Sequence, residues 1–297
     1  MKNILLLLAI IIVIGGVSFG VYSLMKPEVT NAPTVDSLAS STPATSTLMK
    51  ATSTVMGMSS RGAPIVAYHF GTGTKELLLI GGIHGGYEWN TTLLANEMIA
   101  YVRSIESTLP ANISVTIIPA LNPDGLAKVV ANSSSFTAKD VTATEAVQKE
   151  GRFNSRGVDL NRNFDCDWKA KGMWQSTEVS GGASAFSEPE SQAIKAYVEA
   201  KRPASAVVWY SSAGGVYSSS CGGDVLAQTS LMMDVYAKAS GYPNKGAFTS
   251  YEVSGDMTNW FAKLGIPTIS VLLTTHTDSE LSKNKAGIDA LLKEFSK

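Results

Sequence analysis

Cysteine and histidine are scarce in this chain, with two and three residues respectively among 297. Two cysteines are too few for a disulfide scaffold and cannot alone furnish a structural zinc site. Any metal centre must therefore draw on His69, His84 and His276. Charge is thin as well. Charged residues make up 16% of the chain, against about 25% in an average soluble domain. Neither sign dominates, with 24 basic and 25 acidic residues and a net charge of −1. That balance argues against a nucleic-acid binder, which needs a basic face, and against a disordered polyelectrolyte. What the chain does have is apolar material: 44% hydrophobic residues and a mean hydropathy of +0.09. Its length suffices for one large domain or two small ones with a sizeable core.

Residues 3–25 carry no charge. A bilayer core takes about 20 apolar residues, so this run is long enough to span it. It exceeds the roughly 7–15 residues of a signal-peptide core, and no small-x-small cleavage site follows. Residues 1–25 are therefore expected to be an uncleaved membrane anchor, with a cleaved signal as the alternative. Lys2 and Lys26 flank the run almost evenly, so charge does not set its orientation. Residues 26–60 are rich in Ser, Thr, Ala and Pro and read as a flexible tether. An anchor followed by a tether implies a domain at 61–297 held outside the membrane. Cys166 and Cys221 would there meet an oxidising environment and are expected to pair, two buried thiols being the alternative.

Beyond residue 61 the pattern alternates. Runs at 65–70, 76–82, 114–120, 205–210 and 267–273 are short, apolar and β-branched, as buried strands are. Segments 91–105, 188–200, 230–239 and 283–295 have helical spacing. Such alternation predicts an α/β domain, with a mixed or parallel sheet covered by helices on both faces. In such sheets ligands gather at the carboxyl ends of strands, where three motifs fall. GGIHGGYEWN (81–90) offers His84 and Glu88, nitrogen and oxygen donors of a kind zinc accepts. The same run also reads as a polar strand-to-helix turn with a capping Glu. NPDG (122–125) is by itself a turn. RFNSRGVDLNRNF (152–164) sets Arg152, Arg156 and Arg162 among asparagines. A guanidinium is the natural bidentate partner of a carboxylate, although a solvated basic loop has the same composition.

HGGYE, NPDG and GVDLNRNF, followed by FSEPE (186–190), YEVSGD (251–256) and GIPTISV (265–271), stand in an order that resembles the zinc carboxypeptidase family. These are the relatives of carboxypeptidases A and B, and the similarity covers nearly all of 61–297. The resemblance implies a single domain with a mixed, largely parallel sheet of about eight strands between helices. It implies one Zn2+ bound by His84 and Glu88, which are here one residue further apart than the usual His-x-x-Glu. It implies Asn161 and Arg162 as holders of a substrate's terminal carboxylate. Arg152 would polarise the scissile carbonyl, with Arg156 as the alternative. Tyr251 would close over the bound end group, and Asp256 and Thr258 would lie near the side-chain pocket.

Two positions depart from the family pattern. Ser211 is expected to stand where the third zinc ligand belongs, and Leu272 where the general base belongs. Loss of a base alone costs about 10²–10⁴-fold in rate. His276, four residues beyond Leu272, could supply the missing imidazole, whereas His69, in mid-strand, reads as a satisfied sheet histidine. The function so implied is zinc-dependent hydrolysis of C-terminal residues from peptides, cell-wall stem peptides included. An impaired relative that binds free peptide C-termini without cutting them is the alternative. An amide hydrolase or desuccinylase on the same fold is a third reading, which the GVDLNRNF and SEPE motifs disfavour.

Overall fold

A computed structural model describes residues 52–133 and 135–297. The expected anchor and most of the expected tether lie outside the described residues. Ten strands are present among those described: β1 (Thr52–Met58), β2 (Pro64–Phe70), β3 (Lys75–Ile80), β4 (Ile113–Ile118), β5 (Lys171–Trp174), β6 (Thr177–Ser180), β7 (Ser205–Ser211), β8 (Gly215–Ser218), β9 (Asn244–Ala247) and β10 (Thr268–Leu273). The helices are α1 (Trp89–Ile105), α2 (Pro123–Leu126), α3 (Glu145–Glu150), α4 (Pro189–Lys201), α5 (Ala227–Ser240), α6 (Met257–Lys263) and α7 (Leu281–Phe295). None of these helices is long and apolar enough to cross a membrane.

Eight strands form one mixed sheet in the order β1-β2-β4-β3-β7-β10-β8-β9, while β5 and β6 pair as a separate hairpin. The centre, β4-β3-β7-β10, is parallel. β1 with β2, β2 with β4 and β10 with β8 are antiparallel. Helices cover both faces of the centre, which explains why its strands read as unbroken apolar runs. Successive residues of β3 and β7 feed opposite cores. Leu77, Leu79, Val207 and Trp209 pack with residues of α1, α5 and α7. Leu78, Ile80, Ala206 and Val208 pack with residues of α4 and α6. Leu79 is fully buried, so Leu79→Ala would cost about 2–5 kcal/mol.

The expected tether overlaps a strand. Residues 52–58 are not part of it: they form the edge strand β1, paired with β2 from Thr52↔His69 to Met58↔Pro64. Composition alone misleads here because Thr and Val are β-branched and suit a strand. An edge strand with an exposed face also tolerates polar residues.

Several motif residues brace the frame rather than face a ligand. Asp124 of NPDG accepts from the Ser59 hydroxyl at 2.6 Å and from the Arg61 backbone at 3.0 Å. Glu190 of FSEPE accepts from the Ser60 backbone at 2.8 Å. Together the two carboxylates pin the β1–β2 turn. Asn163 of GVDLNRNF donates to the Gly181 and Ser184 carbonyls and accepts from the Glu188 backbone and the Ser191 hydroxyl. Gly125 is glycine for want of room, since a Cβ there would lie 2.2 Å from the Gly151 carbonyl oxygen.

Candidate active site

A cleft of about 710 Å3 opens at the carboxyl ends of β3, β7 and β10. The loop after β3 carries His84 and Glu88 into it, both nearly buried. Gly85 in this loop takes φ +42°. His84 Nδ1 lies 2.9 Å from Glu88 Oε1, and His84 Nε2 lies 3.6 Å from Asp159 Oδ1. The 2.9 Å approach lacks hydrogen-bond geometry. Both ring nitrogens and Glu88 Oε2 are buried without a hydrogen bond, as expected of donors converging on a missing partner.

Strand parity corrects the expected third ligand. Adjacent strand residues point to opposite faces, so an error of one residue moves a side chain across the sheet. Tyr210, not Ser211, stands against the His84 ring, with centroids 5.6 Å apart. Ser211 also borders the cleft, but its hydroxyl donates to Asn90 Oδ1 at 3.1 Å. Burial first, then the charges of Asp256 and Glu88, raise the Tyr210 phenol well above its ordinary range. It is therefore a neutral phenol, not a phenolate. Leu272 is in parallel register with Tyr210 and lines the same cleft. It offers no proton acceptor.

His276 also lines the cleft, packed on Tyr87 with ring centroids 4.5 Å apart. Its tautomer follows from a chain of contacts. The Asn90 amide nitrogen donates to the Thr275 and Asp278 carbonyls, which fixes its oxygen toward Ser211. The single Ser211 proton goes to that oxygen, so the 2.9 Å contact between Ser211 Oγ and His276 Nδ1 is donated by the ring. The Nε2 lone pair of His276 is thereby left unprotonated. Burial lowers the His276 pKa, against the pull of Glu88.

These groups fall one donor short of a catalytic zinc site, which normally has three protein ligands. Among the described residues, the one group of three His, Cys, Asp or Glu ligand atoms within 4.8 Å of each other is Cys166, Asp167 and Cys221. Its sulfurs are joined as a disulfide, with Cα atoms 5.8 Å apart. That bond ties the segment after Arg162 to the loop after β8.

The opposite wall is intact. Arg152 is 2% exposed and meets Asp159 Oδ2 through Nε at 2.9 Å and Nη2 at 2.8 Å. Burial would raise the Asp159 carboxyl, but Arg152, His84 and Arg162 together hold it far below the usual carboxylate range. Trp174, at the tip of the β5–β6 hairpin, covers the Arg152 guanidinium at 4.6 Å. Arg162 is 1% exposed, yet its partners are backbone carbonyls: Met173 at 3.0 and 2.7 Å and Asn161 at 2.7 Å. No carboxylate lies within 4.0 Å of it among the described residues. Tyr251 sits over Arg162 at 5.9 Å, its phenol raised by burial against the pull of both arginines. The Asn161 amide is engaged within the protein, donating to Asp256 Oδ2 at 2.7 Å and accepting from the Met257 backbone at 3.0 Å.

Two histidine and arginine candidates fall outside the cleft. Arg156 is exposed, 3.6 Å from Glu188. His69 lies between Thr54 and Thr116 within the sheet. Three residues in or directly behind the cleft escaped the sequence reading. Asp159 was within reach, since it lies inside GVDLNRNF. Tyr210 needed the strand's parity. Trp174 left no signal, because its hairpin has no periodicity long enough to read.

Residues 33–288 match the family described as zinc carboxypeptidase. Over 174 residues the chain is 27% identical to zinc carboxypeptidase A 1 of Anopheles gambiae, covering 57% of this chain and 37% of that protein. Over 168 residues it is 26% identical to carboxypeptidase B of Helicoverpa zea, covering 54% and 38%. The matched part thus spans well under half of these relatives. The fold is shared with murein-tripeptide amidase MpaA from Escherichia coli O157, at TM-score 0.58 and 21% identity over 81% of this chain and 91% of that one. It is shared too with bovine thrombin-activatable fibrinolysis inhibitor, solved in complex with tick carboxypeptidase inhibitor, at TM-score 0.62 and 17% identity over 83% and 88%.

Proposed function

Because this chain belongs to the zinc carboxypeptidase family, we propose that its cleft engages peptides by their free C-terminal carboxylate and that hydrolysis in this copy is impaired. One observation carries the reading: the buried Arg162 guanidinium has no carboxylate within 4.0 Å among the described residues. A buried charge is costly unless paired, and a peptide carboxylate supplies the pair bidentately. Tyr251 closes the site from above, and Arg152, charge-balanced by Asp159, holds positive potential over the adjacent carbonyl. Zinc, where bound, would polarise that carbonyl and acidify a water. This chain offers His84 and Glu88 toward it, with a phenol and a leucine in the two remaining places.

Expected anchoring of residues 3–25 supports an extracytoplasmic setting, in which the Cys166–Cys221 disulfide would persist. There, cell-wall stem peptides join ordinary peptides as ligands, and the shared fold of a murein-tripeptide amidase is consistent with this. A second reading keeps turnover: His276 completes the donor set, an idea favoured by its unprotonated Nε2 in the cleft. Calorimetric titration with one peptide, as free acid and as amide, tests the first reading. Preferential binding of the acid is expected, and equal binding would defeat it. Metal content of the purified chain decides the second: one tightly held zinc, lost in His276→Ala, would establish it.

A further inference from the structure

We propose that His276 accepts a hydrogen bond from a backbone N–H of the bound peptide, and that Ser211 and Asn90 hold its ring in the tautomer this requires. This rests on the first reading of the cleft, because a zinc on His276 Nε2 would take the same lone pair. His276 lines the cleft, half-buried, and its hydrogen bond among the described residues is the 2.9 Å contact of Nδ1 with Ser211 Oγ. Nε2 has no partner among those residues, yet it is not sealed away as the two His84 nitrogens are. An open lone pair in a binding cleft is a place for a donor.

The ring's orientation is imposed from inside the protein. Asn90 is fully buried on α1, and its amide nitrogen is spent on the Thr275 and Asp278 carbonyls at 2.7 and 3.0 Å. Its oxygen must then face Ser211 and takes the hydroxyl proton at 3.1 Å. Ser211 is left to accept, so Nδ1 carries the ring proton and Nε2 the lone pair. Anchoring of the 275–278 loop needs only the Asn90 nitrogen, so it does not account for the Ser211 contact. The partners behind the ring are also neutral. A carboxylate there would favour the imidazolium, which has no lone pair to offer. A hydroxyl and an amide add no such charge, and burial holds the ring below its usual pKa. His276 is therefore built as a standing acceptor.

A peptide unit offers one donor and one acceptor, and this part of the cleft offers the complement. Arg152 gives Nε and Nη2 to Asp159, while its Nη1 lies 3.9 Å from Glu88 Oε1, beyond hydrogen-bond reach. Nη1 thus remains a donor for a ligand carbonyl. His276 and Arg152 both border Tyr87: the His276 and Tyr87 ring centroids are 4.5 Å apart, and the Arg152 guanidinium carbon is 5.9 Å from the Tyr87 centroid. Two groups bordering one aromatic ring are within reach of a single peptide unit or of adjacent ones. The ligand class is therefore a peptide with a secondary amide at this place. An ester, or the tertiary amide before a proline, lacks the hydrogen and should be refused.

The test uses the full-length chain and one probe, N-acetyl tetra-alanine. It is supplied as free acid, as C-terminal amide, and as three acids that each have one peptide bond replaced by an ester. An ester removes the N–H and keeps the shape. In calorimetric titration one of the three esters should bind at least about tenfold more weakly than the parent acid, as when a desolvated acceptor loses its donor. In His276→Phe, which keeps a ring on Tyr87 but has no acceptor, that ester and the parent should bind nearly alike. Nitrogen NMR of the histidine-labelled chain, which has three histidines, reads the tautomer separately. Nδ1 of His276 should be protonated and Nε2 not, and Ser211→Ala should release that preference and shrink the ester penalty. The proposal is overturned by an ester penalty that is absent or indifferent to His276, by an Nε2–H tautomer in the unaltered chain, or by a tautomer unmoved in Ser211→Ala. A zinc held by the unaltered chain and lost from His276→Phe overturns it as well. In each of these cases the carboxylate anchor stands if the acid outbinds the amide. If acid and amide bind alike, or neither binds, the reading of the cleft and this proposal fall together.

Discussion

The wall built from Arg162, Asn161, Tyr251 and Arg152 presents the groups that the proposed carboxylate anchor calls on. The wall built from His84, Glu88, Tyr210 and Leu272 keeps two donors and ends in a phenol and an aliphatic side chain. The difference follows what else each residue holds. The first wall is stitched into the frame: Asp159 fixes Arg152, Asn161 fixes the start of α6, and Asn163 beside them ties its own segment to residues 181–191. Changing those residues would loosen the fold. Leu272 contributes packing alone, while Tyr210 packs in the same core and donates to Asn161 Oδ1 at 3.4 Å, so the second wall is less densely braced than the first.

The comparison is broken most completely by rebuilding the second wall. Tyr210→His with Leu272→Glu should confer stoichiometric zinc and raise peptide turnover by about 10²–10⁴-fold. Either change alone should do far less, because ligand and base serve one water. Metal analysis and a chromogenic peptide assay read both. Strong zinc-dependent carboxypeptidase activity in the unaltered chain would falsify the impairment.

Damage to the first wall should come next in size. Arg162→Ala removes the carboxylate's partner and should weaken free-acid peptides by about 10²–10⁴-fold, following the 3–5 kcal/mol typical of a broken buried pair. Amidated peptides should hardly notice. If both classes weaken equally, Arg162 supports the wall without reading the ligand.

The disulfide staples the first wall from behind. It closes a sequence separation of 55 residues, for which the chain-entropy account gives about 4 kcal/mol. Replacing Cys166 and Cys221 with serine should lower the denaturant midpoint accordingly. A reductant should do the same to the unaltered chain and nothing further to the double variant.

The smallest effect is a pH dependence away from both walls. Burial would raise the Glu280 carboxyl, but Lys283, the Thr274 backbone and Tyr242 outweigh it and bring its pKa from 4.5 to about 2. A carboxyl lowered in the folded state stabilises fully above its unfolded value and loses that contribution as pH falls through the folded one. Thermal midpoints should therefore decline from pH 4.5 toward 2, with Asp159 acting in the same direction. Glu280→Gln should make the decline shallower. An unchanged slope in that variant would remove Glu280 from the account.

Much of this was legible in the residues. The parallel centre was readable because a strand covered on both faces must be apolar throughout, as Leu77 to Ile80 are. Three residues of the first wall, Arg152, Asn161 and Arg162, were easy to find because they lie in one contiguous motif, whereas Tyr251 comes from a separate one. The second wall was half readable: the loss of a ligand and a base showed, but the ligand position was misplaced by one residue. Only pairing partners fix which face a strand residue takes, and Leu272↔Tyr210 is such a pairing. Edge strand β1 was hidden for a different reason. Its Ser- and Thr-rich composition merges into the expected tether, and its order comes from pairing with β2, with the turn that follows it pinned by Asp124 more than 60 residues away.

That distant contact sets where the chain can be cut. Begun at residue 61, a shortened protein would still contain every cleft residue discussed above. It would also strip Asp124 of the Ser59 and Ser60 hydroxyls and Glu190 of the Ser60 backbone. Two acids would face each other across an emptied turn beside NPDG, and β2 would become a bare edge open to pairing with a second molecule. A soluble version should therefore begin ahead of Thr52, within the tether, and one trimmed to the motif boundaries should be prone to self-association.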